Sequence, residues 1–213
     1  MAVIHRTTLS PTKLELLAPW LPTRPWYAGS ASPVLDRSGG FRLDDPQGEV
    51  GIEFMVVTDT SGAEPVAYFV PLTYRGAPLA GAEDALVGTT EHGVLGKRWV
   101  YDGGHDPVLA ERLFALLDGR AEPQAQSETD TPDPTITHSS TGGPFGSAVA
   151  TVTEGSEGTD LSVAGATLRL NRVLHPAGDG DPLPEDATGH VSGPWRTPED
   201  AEVRGTFAVL RTA

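Results

Sequence analysis

The residues best suited to binding a metal ion or transferring protons lie in Val100–Pro107 (VYDGGHDP). Asp102, His105 and Asp106 offer two carboxylates and an imidazole in one short loop, which is donor chemistry suited to a divalent ion. A structural role is the alternative, because Asp106 can cap a helix that begins at Pro107 and His105 follows two glycines in a turn. The sequence shows no second ligand-bearing element, so the capping and turn roles are favoured.

An aromatic segment, Trp20–Tyr27 (WLPTRPWY), contains two of the four Trp and one of the four Tyr of the chain. Pro22 and Pro25 disfavour helical backbone at the residues that precede them, so this segment should be rigid and mostly extended. Its rings can bury a large apolar area, and we expect them to clamp a short helix onto a sheet. The functional alternative is that Arg24 binds an anion or a sugar instead of stacking on a neighbouring ring.

A further tryptophan lies in a polar, Pro-containing stretch. Trp195 stands in Ser192–Pro198 (SGPWRTP), which predicts a turn that covers a C-terminal sheet. If the ring is exposed there, it becomes a candidate contact residue. The candidate contacts to a ligand or partner are therefore Arg24, Trp26, Tyr27 and Trp195.

The remaining motifs argue against a catalytic site. Gly142–Ser147 (GGPFGS) imitates a glycine-rich phosphate loop, but its spacing differs from the nucleotide-binding motifs and Pro144 removes one N–H donor. We expect a surface turn there. The six His are scattered and no G-x-S-x-G motif occurs. The absence of Cys excludes a thiolate nucleophile, a disulfide and a Cys-type zinc site. We therefore predict no catalytic residue, no bound cofactor and no metal ion.

The chain is acidic, with a formal net charge of −14 over 213 residues. This charge argues against a nucleic-acid partner or an anionic membrane surface, since both need clustered Lys and Arg. No apolar stretch approaches the length of a transmembrane helix, and the first residues show no secretory signal. We expect a soluble, cytoplasmic protein.

Two helices are predicted. Ser10 and Pro11 are expected as the N-cap and first position of a helix that ends by Trp20, because Pro22 follows. The second helix is the clearest in the chain. Asp106 should be its N-cap, and leucines at helical spacing follow in one apolar stripe.

The strands are indicated by alternation of apolar residues. Glu49–Asp59 and a run from Val66 to Tyr74 should pair as an antiparallel hairpin. Pro71 cannot donate to a ladder, which indicates that its strand lies at an edge or ends there. A third strand is expected over about 94–101, and residues 30–40 are predicted to be rich in turns.

Composition divides the chain into three parts. Residues 1–119 form an α+β domain, residues 120–134 form a flexible acidic and Pro-containing linker or loop, and residues 135–213 form a smaller β-rich part that can share the same sheet system. His175–Gly189 is expected to be a loop and Val203–Val209 the last strand.

Three segments resemble the N-terminal cap domain of actinobacterial maltokinases and related aminoglycoside-phosphotransferase-like sugar kinases. They are Leu17–Gly29 (LAPWLPTRPWYAG), Tyr68–Arg75 (YFVPLTYR) and Val100–Pro107. Together they cover about residues 1–118. The resemblance implies a curved antiparallel sheet with two packed helices.

The sequence departs from a whole kinase of this class, which needs a nucleotide-binding lobe and a helical lobe with catalytic and metal-binding Asp residues. No such motifs follow the cap-like region, and Arg169 stands where a kinase strand could offer Lys. The resemblance therefore implies a non-catalytic cap-like module that binds or regulates a partner in maltose, trehalose or glycogen metabolism. That partner is a protein of sugar or glucan metabolism or a small carbohydrate. The alternative is a sugar-kinase-related enzyme that uses ATP and Mg²⁺, or part of one completed by another chain.

Overall fold

The computed structural model describes residues 9–128, 130–141, 151–177 and 182–212. Within these ranges the chain forms one antiparallel sheet of fourteen strands with two short α-helices, so the α+β class is confirmed in outline. The helices are α1 (Lys13–Trp20) and α2 (Pro107–Leu117), with 3-10 turns at Leu21–Thr23, Glu83–Ala85 and Gly103–His105. The strands are β1 (Leu9–Ser10), β2 (Leu35–Leu43), β3 (Gly51–Asp59), β4 (Val66–Arg75), β5 (Leu86–His92), β6 (Gly96–Asp102), β7 (Gln124–Ala125), β8 (Thr137–Ser140), β9 (Thr151–Gly155), β10 (Gly158–Val163), β11 (Ala166–Leu170), β12 (Val173–Leu174), β13 (Ala187–Arg196) and β14 (Glu202–Thr212).

The sheet joins both halves of the chain. Its strands follow the order β1-β5-β6-β4-β3-β2-β13-β14-β11-β10-β9, while β7, β8 and β12 pair with β2, β13 and β4. The pairing of β12 with β4 brings the C-terminal strands back to the middle of the N-terminal ones. The division of the chain into separate domains stays a prediction.

Strand β3 separates two apolar cores, because its side chains alternate between the two faces of the sheet. Phe54 and Val56 belong to core I, which lies between α2 and strands from both halves. Met55 and Val57 belong to core II, which lies under α1 and the aromatic segment. Both faces of β3 are therefore buried.

Helix α1 begins two residues later than predicted. Its N-cap is Thr12, whose hydroxyl accepts from the backbone N–H of Glu15 at 3.3 Å, while the Glu15 carboxylate accepts from the Thr12 N–H at 2.7 Å. These two reciprocal hydrogen bonds form a capping box, which satisfies two backbone N–H donors at the start of the helix. The helix is therefore capped at Thr12 and not at Ser10. The predicted end at Trp20 is confirmed, since the chain continues as a 3-10 turn.

Pro71 is not on an edge strand, because β4 lies between β3 and β6. The Phe69 N–H donates to the backbone carbonyl of Arg172 at 2.9 Å, so a donor at position 71 would point to the same side of the strand. On that side β12 pairs with residues 67–68 and β6 with residues 72–75. Pro71, which has no N–H donor, therefore lies at the position where the neighbour of β4 changes from β12 to β6.

Strands β2 and β13 lie where the composition predicted turns or a loop. Strand β2 occupies much of the stretch predicted as turns, and β13 begins at Ala187 inside the predicted His175–Gly189 loop and includes the predicted turn at Trp195. Gly and Pro lower the strand signal locally, but pairing with long neighbours fixes these segments. The predicted turn Gly142–Ser147 lies outside the described residues.

The segment 120–134 is mostly loop in its described residues and is tied to the sheet. Its strand β7 pairs with β2, and Arg42 donates to the backbone carbonyl of Ala125 at 3.1 Å. Gln126 donates to the buried Glu53 carboxylate at 2.8 Å. These contacts place the segment against the β2–β3 face.

Candidate functional site

The aromatic segment clamps α1 onto the sheet, as predicted, but its backbone is not mostly extended, because it continues α1 as a 3-10 turn at Leu21–Thr23. The Trp26 ring is 2% exposed and lies 5.9 Å from Trp20 and 6.0 Å from Tyr68, centroid to centroid. The Arg24 guanidinium carbon lies 4.9 Å from the centroid of the Trp20 ring. Arg24 therefore stacks on an aromatic ring, which is the structural role weighed for it from the sequence.

Tyr27 anchors the loop that follows the segment. Its hydroxyl donates to Asp59 at 2.6 Å, and Asp59 also accepts from the backbone N–H groups of Val34 and Ser61. Burial raises the pKa of Tyr27, and the Asp59 carboxylate adds to the rise. Burial alone would raise the pKa of Asp59, but the bonds from Tyr27 and Ser61 outweigh it and lower that pKa. Both groups keep their usual charge states at neutral pH.

Trp195 does not join the other three predicted contacts. It is 4% exposed within β13, and its ring lies 6.3 Å from that of Phe207 in core I. The ring also covers Gly205 on β14, where an added Cβ would lie 2.8 Å from a ring carbon. Arg24, Trp26 and Tyr27 come together beside core II instead.

Glu154 on β9 links the aromatic segment to the loop at Asp102. Its Oε1 accepts from the Trp26 indole N–H at 3.3 Å, and its Oε2 lies 3.4 Å from Arg24 Nη1. Three atoms that could bind a metal ion lie within 4.8 Å of one another. One belongs to each of Asp102, His105 and Glu154. No local pattern in the sequence pointed to Glu154, which lies far along the chain from the other two.

Asp106 has the structural role that the sequence predicted. Its carboxylate accepts from the Val108 backbone N–H at 3.0 Å, so it caps α2. Both of its oxygens also accept from Arg75, at 2.7 Å each. Asp106 thus stands apart from the cluster formed by Asp102, His105 and Glu154.

Arg172 lies at the centre of this region and was not anticipated. The break between β11 and β12 turns it inward, where it is fully buried. Its Nε donates to the Thr159 hydroxyl at 2.8 Å, its Nη2 donates to Asp102, and its guanidinium carbon lies 5.0 Å from the centroid of the Trp26 ring. Its Nη1 is buried and has no hydrogen-bond partner among the residues that the structure describes. The neighbouring Arg169, which the sequence offered as a phosphate ligand, pairs with Asp160 at 2.7 Å.

We name the group Asp102, His105, Glu154, Arg24 and Arg172 the junction cluster, because it joins β6 and its turn to β9 and to the β11–β12 break. It combines carboxylate acceptors, an imidazole and two guanidinium donors beside an indole ring. The imidazole of His105 makes no hydrogen bond within the described part of the chain. The two carboxylates and two guanidinium groups balance in charge.

A polar cleft of about 270 Å³ lies elsewhere, between β2, β3 and the turn that joins β13 to β14. Its lining residues are charged or hydroxyl-bearing apart from one proline: Asp36, Arg37, Ser38, Thr58, Thr60, Arg196, Thr197, Pro198 and Asp200. The Thr197 hydroxyl oxygen is buried and finds no hydrogen-bond partner in the described ranges of the chain. Such a lining suits a small hydroxylated ligand.

The β5–β6 hairpin carries an exposed apolar tip. Val94 is 61% and Leu95 is 48% exposed, and their backbone N–H groups donate to the His92 Nδ1 at 3.2 and 3.0 Å. Lys97 and Arg98 follow directly on β6. The tip is therefore an ordered apolar turn beside two cations.

No helix in the described part of the chain has the length and apolar character needed to cross a membrane.

No curated protein matches the chain. The family model of the maltokinase N-terminal cap domain matches residues 20–106. This range contains the aromatic segment, the β3–β4 hairpin, the exposed hairpin tip, Asp102 and His105. Over residues 20–106 the chain is thus similar to the maltokinase N-terminal cap domain, as its three motifs predicted.

Proposed function

We propose that the chain is a non-catalytic, maltokinase-related module that binds a protein partner in maltose, trehalose or glycogen metabolism. The family match supports the relation to maltokinases. The exposed tip of the β5–β6 hairpin, which lies inside the matched range, is the observation that carries the binding role.

Large exposed apolar side chains are concentrated on this hairpin. Among the described residues they are Val34, Leu86, Val94 and Leu95; Val94 and Leu95 are adjacent at the tip, whereas Leu86 lies at the opposite end of β5. Contiguous exposed apolar surface is typical of sites that bind another protein. The two hydrogen bonds to His92 hold the tip in one conformation, which lowers the entropy cost of binding.

The charge of the hairpin favours an acidic partner. Lys97 and Arg98 stand beside the tip and outnumber Glu91, which is opposite Lys97 in the β5–β6 register, although the whole chain carries a net charge of −14. Lys97 lies over the Trp99 ring at 5.0 Å, and Arg98 donates to the Leu95 carbonyl at 2.9 Å. A partner with an apolar groove and a negative rim would complement this surface.

Binding can be tested with the purified chain and a panel of purified enzymes of maltose, trehalose and glycogen metabolism from the source organism, by biolayer interferometry. We expect one of them to bind, and Val94→Asp or Leu95→Asp to weaken binding at least about tenfold, as loss of a buried interface anchor does. Val34→Asp is the matched control, since Val34 is equally exposed but lies away from the hairpin. Failure of every enzyme to bind, or equal binding by all variants, would overturn the proposal.

The non-catalytic part has its own test. The chain is incubated with ATP, Mg²⁺ and maltose or glucose, and ADP release is followed by a coupled assay. We expect no turnover above the protein-free rate. Sustained turnover would favour the kinase-related alternative.

A small carbohydrate is the second candidate partner, and the polar cleft favours it. Its hydroxyl and charged groups, including the unpartnered Thr197 hydroxyl, match the hydrogen-bonding needs of a sugar of one or two rings. We expect saturable binding of maltose or glucose in calorimetry, weakened by Thr197→Val. Heats equal to those of buffer dilution would remove this candidate.

A further inference from the structure

We propose that Asp102, His105 and Glu154 form a binding site for a divalent transition-metal ion of the Zn²⁺ type. The sequence offered Asp102, His105 and Asp106 in one loop, without a second ligand-bearing element, and the structure assigns Asp106 to the cap of α2 instead. The structure supplies the second element, because β9 places Glu154 against the loop. This site is independent of the partner surface proposed above.

The backbone sets Asp102 and His105 side by side. Asp102 ends β6 and accepts from the Gly104 backbone N–H at 3.2 Å, which caps the 3-10 turn Gly103–His105. One turn thus carries a carboxylate and an imidazole. Oxygen and imidazole nitrogen ligands together favour Zn²⁺ and its neighbours over Mg²⁺ or Ca²⁺, which prefer oxygen alone.

The distances are close to those that a metal requires. Zn–N and Zn–O bonds of roughly 2.0–2.2 Å place tetrahedral ligand atoms roughly 3.3–3.6 Å apart. The ligand atoms here fall within 4.8 Å of one another, so inward movements of about 1 Å would bring them to the separations that a metal requires. Glu154 can make such a movement, because its contacts to Trp26 and Arg24 are long, at 3.3 and 3.4 Å.

Asp102 is already oriented as a ligand. Both of its oxygens accept from a single nitrogen of the buried Arg172, and ligating carboxylates in metal sites are typically held by such outer hydrogen bonds. Oδ1 also accepts from the Gly104 N–H, so Oδ2 is the oxygen that keeps a further lone pair for a metal. His105 needs no rearrangement of hydrogen bonds, since its ring makes none within the described residues.

Arg172 also carries a buried donor that an acceptor at the site would satisfy. Its Nη1 is a buried donor without an acceptor, on the same guanidinium group whose Nη2 holds Asp102. Buried donors in native structures normally find a partner. A water molecule or small anion bound to the metal would supply an acceptor beside Asp102.

Arg24 competes with the metal for Glu154. A cation at the site would displace the guanidinium group of Arg24, while Arg172 would stay on Asp102. Removal of the Arg24 charge should therefore strengthen metal binding. A cluster with a purely structural role predicts no such gain.

The test uses the full chain, freed of metals with a chelator and titrated with Zn²⁺ in a calorimeter. We expect one equivalent to bind. His105→Ala and Glu154→Gln should weaken binding at least about tenfold, because even loss of an outer-shell partner costs roughly 10–100-fold. Arg24→Gln should tighten it. His175→Ala and Glu157→Gln, two exposed residues outside the cluster, are the matched controls and should bind as the wild type does.

Absence of saturable binding near one equivalent would overturn the site, as would unchanged affinity in both His105→Ala and Glu154→Gln. Circular dichroism checks that each variant is folded. If a variant fails to fold, the visible absorption of the Co²⁺-loaded wild type decides whether the metal site exists. Intense tetrahedral bands that Zn²⁺ abolishes support the site, and the pale spectrum of free Co²⁺ refutes it.

Discussion

Arg172 holds Asp102 through one guanidinium nitrogen, with Nη2 lying 2.7 Å from Oδ1 and 2.6 Å from Oδ2. Both side chains are buried, at 0% and 1% exposure. Asp102 lies inside the range that matches the maltokinase cap domain, and Arg172 lies outside it. A buried ion pair thus fastens the cap-like region to the C-terminal strands.

Arg172→Met should destabilise the protein by about 3–5 kcal/mol, because it leaves the Asp102 carboxylate buried without a counter-charge. The free energy of unfolding is measured by urea titration, followed by tryptophan fluorescence. The double variant Asp102→Asn/Arg172→Met should recover part of the loss, since no uncompensated charge remains. Equal stability of the single variant and the wild type would contradict the buried ion pair.

Trp26→Ala should cost about 3–5 kcal/mol, the range for a large aromatic residue removed from a core. The ring packs against Trp20 and Tyr68 and lies under the guanidinium of Arg172. Trp26→Phe is the conservative control and should retain much of the stability. A folded Trp26→Ala variant of wild-type stability that loses only partner or sugar binding would assign Trp26 to a contact role instead.

The sequence predicted elements that local pattern specifies. Alternation predicted the β3–β4 hairpin, and Asp106 before Pro107 predicted the start of α2. Strand β13 was missed because Gly and Pro interrupt its pattern, and only its pairing with β14 reveals it.

The junction cluster could be predicted only in part, for a physical reason. Asp102 and His105 share one loop, but Arg172 lies 70 residues beyond Asp102 and Glu154 lies 128 residues beyond Trp26. Such partners meet through the order of strands in the sheet, which periodicity does not encode. A fully buried Arg also has no local signature, because its burial depends on the carboxylate that receives it.

Acidification below about pH 6.5, the usual pKa of His, should destabilise the β8–β13 pair. Burial lowers the pKa of His138, and burial together with the charge of His138 lowers the pKa of His190. Because the folded-state pKa values lie below the unfolded ones, this stability is fully present above pH 6.5. It is lost as the pH falls through the folded values.

This prediction is checked by the melting temperature between pH 8 and pH 5. His138→Gln and His190→Gln should each flatten the decline, while His175→Gln, at an exposed position, should leave it unchanged. The hydrogen bond of 2.9 Å between Ser139 and His190 Nδ1 gives a second readout, since hydrogen exchange of β8 should speed up at the lower pH. A decline of equal slope in all variants would assign the effect to other groups.

Glu53 is a buried carboxylate that joins α1, β4 and the 120–134 segment. Its Oε2 accepts from Lys13 at 2.5 Å and from the Tyr74 hydroxyl at 2.7 Å, and its Oε1 accepts from Gln126 at 2.8 Å. Burial alone would raise the pKa of Glu53, but the Lys13 charge and these hydrogen bonds outweigh it and lower that pKa. The ionised form is therefore the one that the folded state favours.

Glu53→Gln should destabilise the protein by about 1–3 kcal/mol at pH 7. Lys13 and Tyr74 both donate to the carboxylate, and the neutral amide would leave donor groups facing one another there. A lowered folded-state pKa gives stability that is present above about pH 4.5 and is lost as the pH falls through the folded value. The difference in unfolding free energy between wild type and Glu53→Gln should thus shrink from pH 7 to pH 3 in urea titrations. Glu49→Gln, at an exposed position, should match the wild type throughout. A gap that stays constant with pH would show that folding does not shift the pKa of Glu53, and a gap that grows as the pH falls would show that folding raises it.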